Sequence, residues 1–290
     1  MKSVAFTMLN SMADRDFDTA MDNHAEWGLA HLDLKGGVYG KDVIDLTDEE
    51  ADRVASEAAA RGLSTYCMST TLFHDEVEKG EDHLKDEHFA KLDQTIAVAR
   101  ILKPTFVRLL GAKTEKRSQV ADATDYLKSE HAWLLDLYRA AVEKVSDAGF
   151  QVTIENECHD CVFSTPEEIV SFFDVIDCGD AVSLTWDVQN LWQMGTFPSL
   201  DAYATLKPLI SYYHVKGGLA EFEGGSLKWR SSLEDASWPV EVITRQVVSD
   251  GVSPVICLNS SHGERKDGYD YDDVTKRDLD YMRQRFGGEL

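Results

Sequence analysis

No stretch of the 290-residue chain approaches the ~20 consecutive apolar residues of a membrane span. Basic residues are scarce: 29 Lys and Arg stand against 52 Asp and Glu, a formal net charge of -23. So acidic a surface repels phosphate backbones and anionic leaflets, which argues against nucleic acid and membranes as partners. Its plainer use is solubility. Prolines number only 6 and are scattered, and no Pro-, Gly- or Ser-rich linker divides the chain, so one domain over 1–290 is expected. No G-x-G-x-x-G follows a strand, which weakens a doubly wound dinucleotide fold. The 5 cysteines, at positions 67, 158, 161, 178 and 257, are odd in number and suit reduced thiols in the cytosol. Cys158-His-Asp-Cys161 has C-x-x-C spacing, but no second pair exists to complete a structural zinc site. The run Met1-Lys-Ser-Val-Ala-Phe-Thr7 turns polar too soon for a signal peptide, so a cytoplasmic location is expected.

What is present is a large core and a repeating pattern. Hydrophobic residues make up 43% of the chain. Val4 to Met8, Leu29 to Leu34, Leu63 to Met68 and Pro104 to Leu110 read as the first four strands. Gln151 to Glu155, Val182 to Asp187, Ile210 to His214 and Val255 to Asn259 read as the last four. Helical spacing separates them: Asp14 to Glu26, Ala51 to Arg61, a polar segment within His74 to Arg100, Tyr126 to Ala148, Leu200 to Leu209 and Pro239 to Ser249. Asp272 to Phe286 closes the chain as a last amphipathic helix. Thr47-Asp-Glu-Glu50 and Thr165-Pro-Glu-Glu168 are capping boxes, and Gly62 and Gly149 are helix stops. Eight strands alternating with helices imply a parallel sheet closed into a (β/α)8 barrel, an α/β fold, with an open sheet as the runner-up.

The strand ends carry the chemistry. A parallel strand buried on both faces has no room for Glu155, Asn156 and Glu157 at its end unless that end opens into a cavity. In a barrel all strand C-termini share one mouth. Glu155, Asp187, His214 and Asn259 end four successive strands there and supply two carboxylates, an imidazole and an amide oxygen. Such an O/N set suits Mn²⁺ best, with Mg²⁺, Co²⁺ and Zn²⁺ as other candidates. Taken singly, each residue has a plainer use as a cap, a salt-bridge partner or a satisfied core histidine.

On these residues the chain resembles the xylose-isomerase-like sugar isomerase and epimerase barrels. The shared motifs are Ile154-Glu-Asn156, Asp187-Val-Gln-Asn190 with Trp192 and Gly195, and His214-Val-Lys216. Ala236-Ser-Trp238 with Val240 to Val252 is similar to the family's last helix before strand eight. The resemblance implies a metal held by Glu155, Asp187 and His214. At the fourth position the family has Glu and this chain has Asn259, which offers an oxygen but takes no proton. A single surviving carboxylate base disfavours epimerisation, which uses a base on each face. Glu157, on the same strand face as Glu155, is a candidate second group.

The resemblance implies an isomerase of a small sugar or keto-sugar working through an enediolate, with Glu155 as base and Lys216 near the oxyanion. Asn190, Glu157, Arg108, Trp192 and Arg230 are candidate substrate contacts, Arg108 and Arg230 for an anionic group. Trp229 and Phe6 are further apolar faces for a sugar ring. His262, in Ser260-Ser-His-Gly263, departs from the family pattern and is a candidate acid or second base. A metal-dependent lyase or dehydratase on a keto-sugar or ketocyclitol, including cleavage of oxidised glycosides, is the alternative. A non-catalytic barrel is the third. A small carbohydrate is the expected partner, and homo-oligomerisation stays open.

Overall fold

Eight short strands pair in parallel: β1 (Ala5–Met8), β2 (His31–Leu34), β3 (Ser64–Ser69), β4 (Phe106–Leu110), β5 (Gln151–Glu155), β6 (Val182–Asp187), β7 (Ile210–Val215) and β8 (Val255–Leu258). The computed structural model describes residues 4–287, so Met1 to Ser3 of the leader reading lie outside the described residues. The sheet order is β1-β8-β7-β6-β5-β4-β3-β2. One bridge between Leu9 and Asp33, and the Thr7 hydroxyl donating to the His31 carbonyl at 2.7 Å, span the β1–β2 seam. The result is a nearly closed (β/α)8 barrel.

The helices are α1 (Asn10–Ala13), α2 (Phe17–Glu26), α3 (Asp48–Ala60), α4 (Glu81–Glu87), α5 (Leu92–Leu102), α6 (Ala123–Glu130) and α7 (Ala132–Asp147) in the first half. Then follow α8 (Pro166–Ile176), α9 (Val188–Gln193), α10 (Leu200–Leu206), α11 (Val240–Asp250) and α12 (Val274–Phe286). Both capping boxes form as read, at Thr47/Glu50 and Thr165/Glu168. Two helix readings need correction. Tyr126 to Ala148 is not one helix, because His131 leaves helical geometry (φ -140°, ψ 41°) and parts α6 from α7. Asp14 to Glu26 begins too early, since Asp14 is extended and Asp16 caps α2, accepting from the Thr19 amide at 2.9 Å, so the helix starts at Phe17.

Period-two alternation sorts each strand's side chains between two environments. Outward residues such as Ile154, Leu184, Trp186 and Tyr213 pack with the helices in the main core. Inward residues near the strand starts, Tyr66, Cys67, Phe106, Tyr212, Val255 and Cys257, form an apolar and aromatic plug. Toward the strand ends the inward positions turn polar: Asp33, Ser69, Arg108, Glu155, Asp187 and His214 are all buried. The plug therefore floors a chamber lined with charge. No helix among the described residues is long and apolar enough to cross a membrane.

Candidate functional site

Glu155 ends β5, Asp187 ends β6 and His214 lies next to the end of β7, so register alone brings them together. His214 Nδ1 is 3.4 Å from Glu155 Oε1 and 3.9 Å from Asp187 Oδ2. The three ligating atoms lie within 4.8 Å of one another. Neighbouring donors on a cation at ~2.1 Å sit roughly 3 Å apart, so a small inward movement closes the set on an ion. Both ring nitrogens of His214 are buried with no hydrogen-bond partner. Each such orphan costs about 1–3 kcal/mol, and a divalent cation would take one of these nitrogens together with the two carboxylates. The Glu155–Asp187–His214 set thus fits a divalent cation.

Two buried cations share the carboxylates. Arg108, inward on β4, pairs through Nη1 with Glu155 Oε2 and donates through Nη2 to the Thr70 carbonyl at 3.1 Å. Burial works to raise the Glu155 pKa, but Arg108 and His214 outweigh it and hold the carboxyl far below its usual range. Lys216 Nζ lies 2.8 Å from Asp187 Oδ2 and donates to Asn190 Oδ1 at 2.7 Å. Burial works against the Lys216 charge, and Asp187 outweighs that and keeps it. The other Asp187 oxygen caps α9, accepting from the Gln189 and Asn190 amides at 3.1 and 2.9 Å. Glu155 keeps Oε1 for an ion, whereas Asp187 Oδ2 would have to share it with Lys216, which limits how tightly the ion is held.

A cavity of about 140 Å³ opens over this centre, lined by Leu9, Lys35, Arg108, Glu155, Glu157, Cys158, His159, Lys216, Asn259, Ser260 and His262. Glu157, two residues beyond the end of β5, shares it with Glu155. Asn190 Nδ2 donates to Glu157 Oε1 at 2.6 Å, and Glu157 Oε2 has no partner among the described residues. Asn190 is fully committed to Lys216, Glu157 and the Asn156 carbonyl, so it positions the wall and has little left for a substrate. Asn259 lines the cavity, but its Oδ1 accepts from the Ser260 amide at 2.8 Å and caps its own loop. His262 also lines it, and burial, reinforced by Lys216, pushes its imidazole down to about 3.

Several expected contacts lie elsewhere. Trp192 is 2% exposed, meets Phe197 edge-on and donates to the Gly225 carbonyl at 2.9 Å, so it is core. Phe6 is core as well. Arg230 is exposed, donates to the Gly263 carbonyl at 3.1 Å and lines an outer groove with Ser260 and Ser261. Trp229 lies outside the cavity beneath Lys228 and Lys266. Arg108 reaches the cavity but is spent on Glu155, so it is not a free anion anchor. The five cysteines are all free, and Cys161 packs so closely on Gly111 that a Cβ there would lie 2.9 Å from its sulfur.

Lys35 and Asp33 were missed. Asp33, inward on β2, accepts from Tyr212 at 2.8 Å and from Ser69, and lies 3.8 Å from His214 Nε2. The signal was there: His31-Leu-Asp-Leu-Lys35 ends a strand on charged residues at alternate positions, as β5 does.

No family model matches the chain, and no curated protein matches its sequence. Solved structures do match. A xylose isomerase-like TIM barrel protein from Mycobacterium smegmatis, in complex with magnesium, is 18% identical over 99% of this chain and 97% of its own, with a TM-score of 0.70. This chain has the xylose-isomerase-like barrel fold. The probable 3-DHS dehydratase AsbF of Bacillus anthracis is 15% identical over 97% and 99% (TM-score 0.70). A D-psicose 3-epimerase solved with D-fructose is 14% identical over 98% and 100% (TM-score 0.68). At these identities the likeness establishes the fold, and the chemistry rests on the site.

Proposed function

We propose that the protein is a divalent-cation-dependent isomerase of a small sugar or keto-sugar, with Mn²⁺ as the preferred ion. The observation that carries this is the convergence of Glu155, Asp187 and His214 with the imidazole unpartnered on both nitrogens. A cation bound there would polarise a substrate carbonyl and spread the charge of the enediolate. Lys216, held charged beside Asp187, adds fixed positive potential at that oxygen.

The base is reassigned on chemical grounds. Glu155 has Arg108 on one oxygen and His214 near the other, and a carboxylate held so far down is a poor proton acceptor. Glu157 faces the same cavity with Oε2 open, and Asn190 fixes its other oxygen. We assign proton transfer to Glu157 and ion binding and orientation to Glu155. Asn259 sits on the cavity's β8 wall, where an epimerase's second carboxylate would stand, so one face of the substrate meets a base. Aldose–ketose isomerisation uses one face.

The lyase reading needs an acid for the leaving group. His262 at about 3 is protonated in roughly one molecule in ten thousand at neutral pH, which weakens it as that acid. The test is incubation of Mn²⁺-loaded protein with ketoses and keto-sugars in D₂O. Isomerisation places deuterium at the carbon next to the carbonyl without loss of water. A product lighter by water or by an aglycone would reject the isomerase in favour of the lyase.

A further inference from the structure

Arg108 and Lys216 each face a carboxylate, but Lys35 has no ion-pair partner among the described residues although it lines the cavity. Its backbone is pinned on three sides. The Lys35 amide donates to Asn10 Oδ1 at 3.0 Å, the Lys35 carbonyl accepts from the Val43 amide at 2.8 Å, and Asn10 Nδ2 donates to the Gly36 carbonyl at 2.9 Å. A fixed root with an uncommitted ammonium is a prepared anion contact. Lys35 follows β2, and the sheet order places β2 four strands from β6, across the barrel from Asp187.

Two imidazoles complete the mouth. His159 and His262 meet edge-to-face at 6.1 Å between ring centres, and neither ring has a hydrogen-bond partner among the described residues. His159 is held there by an unusual backbone: it and Asp160 are consecutive non-glycine residues at φ 55° and 66°. Left-handed geometry at two such residues is disfavoured, and here it is kept by the Thr114 amide donating to the Asp160 carbonyl at 2.9 Å and by the Lys113–Cys161 bridge. The Cys158-His-Asp-Cys161 segment, whose cysteines are both free thiols, thus carries His159 at the mouth.

We infer that the cavity takes a small sugar acid or keto acid, with its carboxylate on Lys35 and the two imidazoles, and its carbonyl end toward Glu155, Asp187 and His214. This rests on the sugar-isomerase reading and narrows its substrate class. Burial, then Arg108, lowers the Lys35 pKa, a cost that a bound carboxylate removes.

The test compares D-glucuronate with D-glucose, which differ in one carboxylate, by calorimetric titration of Mn²⁺-loaded protein at fixed ionic strength. Glucuronate is expected to bind about tenfold tighter or more, the advantage to vanish in Lys35→Met and to persist largely in Lys35→Arg. Equal binding of the two sugars, or a preference that survives in Lys35→Met, overturns the inference. Mn²⁺ uptake in the same samples keeps the two readings apart. Lys35→Met is expected to bind Mn²⁺ as wild type does, and a wild type that ignores Mn²⁺ yet prefers glucuronate would sink the metal reading alone.

Discussion

Replacing Arg108 with Met leaves Glu155 facing the barrel interior without its guanidinium. Both side chains are 2% exposed, so water does not compensate. Breaking a buried pair from one side costs about 3–5 kcal/mol, and a Coulomb estimate at 4 Å with an effective dielectric of 20 gives about 4 kcal/mol. The contact from Nη2 to the Thr70 carbonyl is lost as well. The pH dependence has a definite sign. In the wild type the Glu155 pKa is depressed below its usual 4.5, so the pair's contribution is present above that value and lost on acidification. In Arg108→Met burial dominates and raises the pKa, so the deficit is present above about pH 4.5 and shrinks as the carboxyl protonates. Urea unfolding of both proteins from pH 4 to 8 measures this. The double variant Arg108→Met/Glu155→Gln should recover most of the loss, and Mn²⁺ should stabilise Arg108→Met more than the wild type, because the ion takes over the guanidinium's role. A variant within about 1 kcal/mol of wild type at pH 7, or a deficit indifferent to acid, would refute the reasoning.

Three further outcomes are expected. Glu157→Gln should keep Mn²⁺ uptake and lose substrate C–H exchange by about a hundredfold or more, whereas Glu155→Gln should lose both; calorimetry and D₂O exchange read them separately. Asn259→Glu should supply a fourth ligand, a third carboxylate, and tighten Mn²⁺ by about tenfold or more, read by competition with a chelator. Asp278, on α12, is pushed up to about 7 by burial despite the Leu233 amide donating at 2.6 Å and Arg277 beside it. Its raised pKa makes the fold progressively less stable between its usual 3.8 and about 7, by about 4 kcal/mol in all. Asp278→Asn should remove that slope from the unfolding free energy.

The barrel was legible because its signals are local. Capping boxes at Thr47 and Thr165, glycine stops and apolar strands each declare themselves within a few residues, and eight repeats leave few topologies. The strand-end residues Glu155, Asp187 and His214 were legible for the same reason: parallel register converts chain position into a shared mouth. What the sequence hid was commitment. Whether Arg108 is free or paired, and whether Asn190 binds a ligand or props Glu157, depends on partners 47 and 33 residues away. Trp192 carries a family-like spacing yet points into the core, since an indole satisfies itself as well on the Gly225 carbonyl as at a sugar face. Lys35 is hidden in the sequence because Lys35-Gly-Gly-Val-Tyr-Gly40 has the composition of a plain turn, and only the fold turns its side chain to the cavity.

The central claim is that one cation sits among Glu155, Asp187 and His214. Crystals grown with Mn²⁺ and measured across the manganese absorption edge test it most directly. A single anomalous peak bonded to Glu155 Oε1, Asp187 Oδ2 and a His214 ring nitrogen is the predicted result. No peak there, with Arg108 and Lys216 still closing the carboxylates, would contradict it.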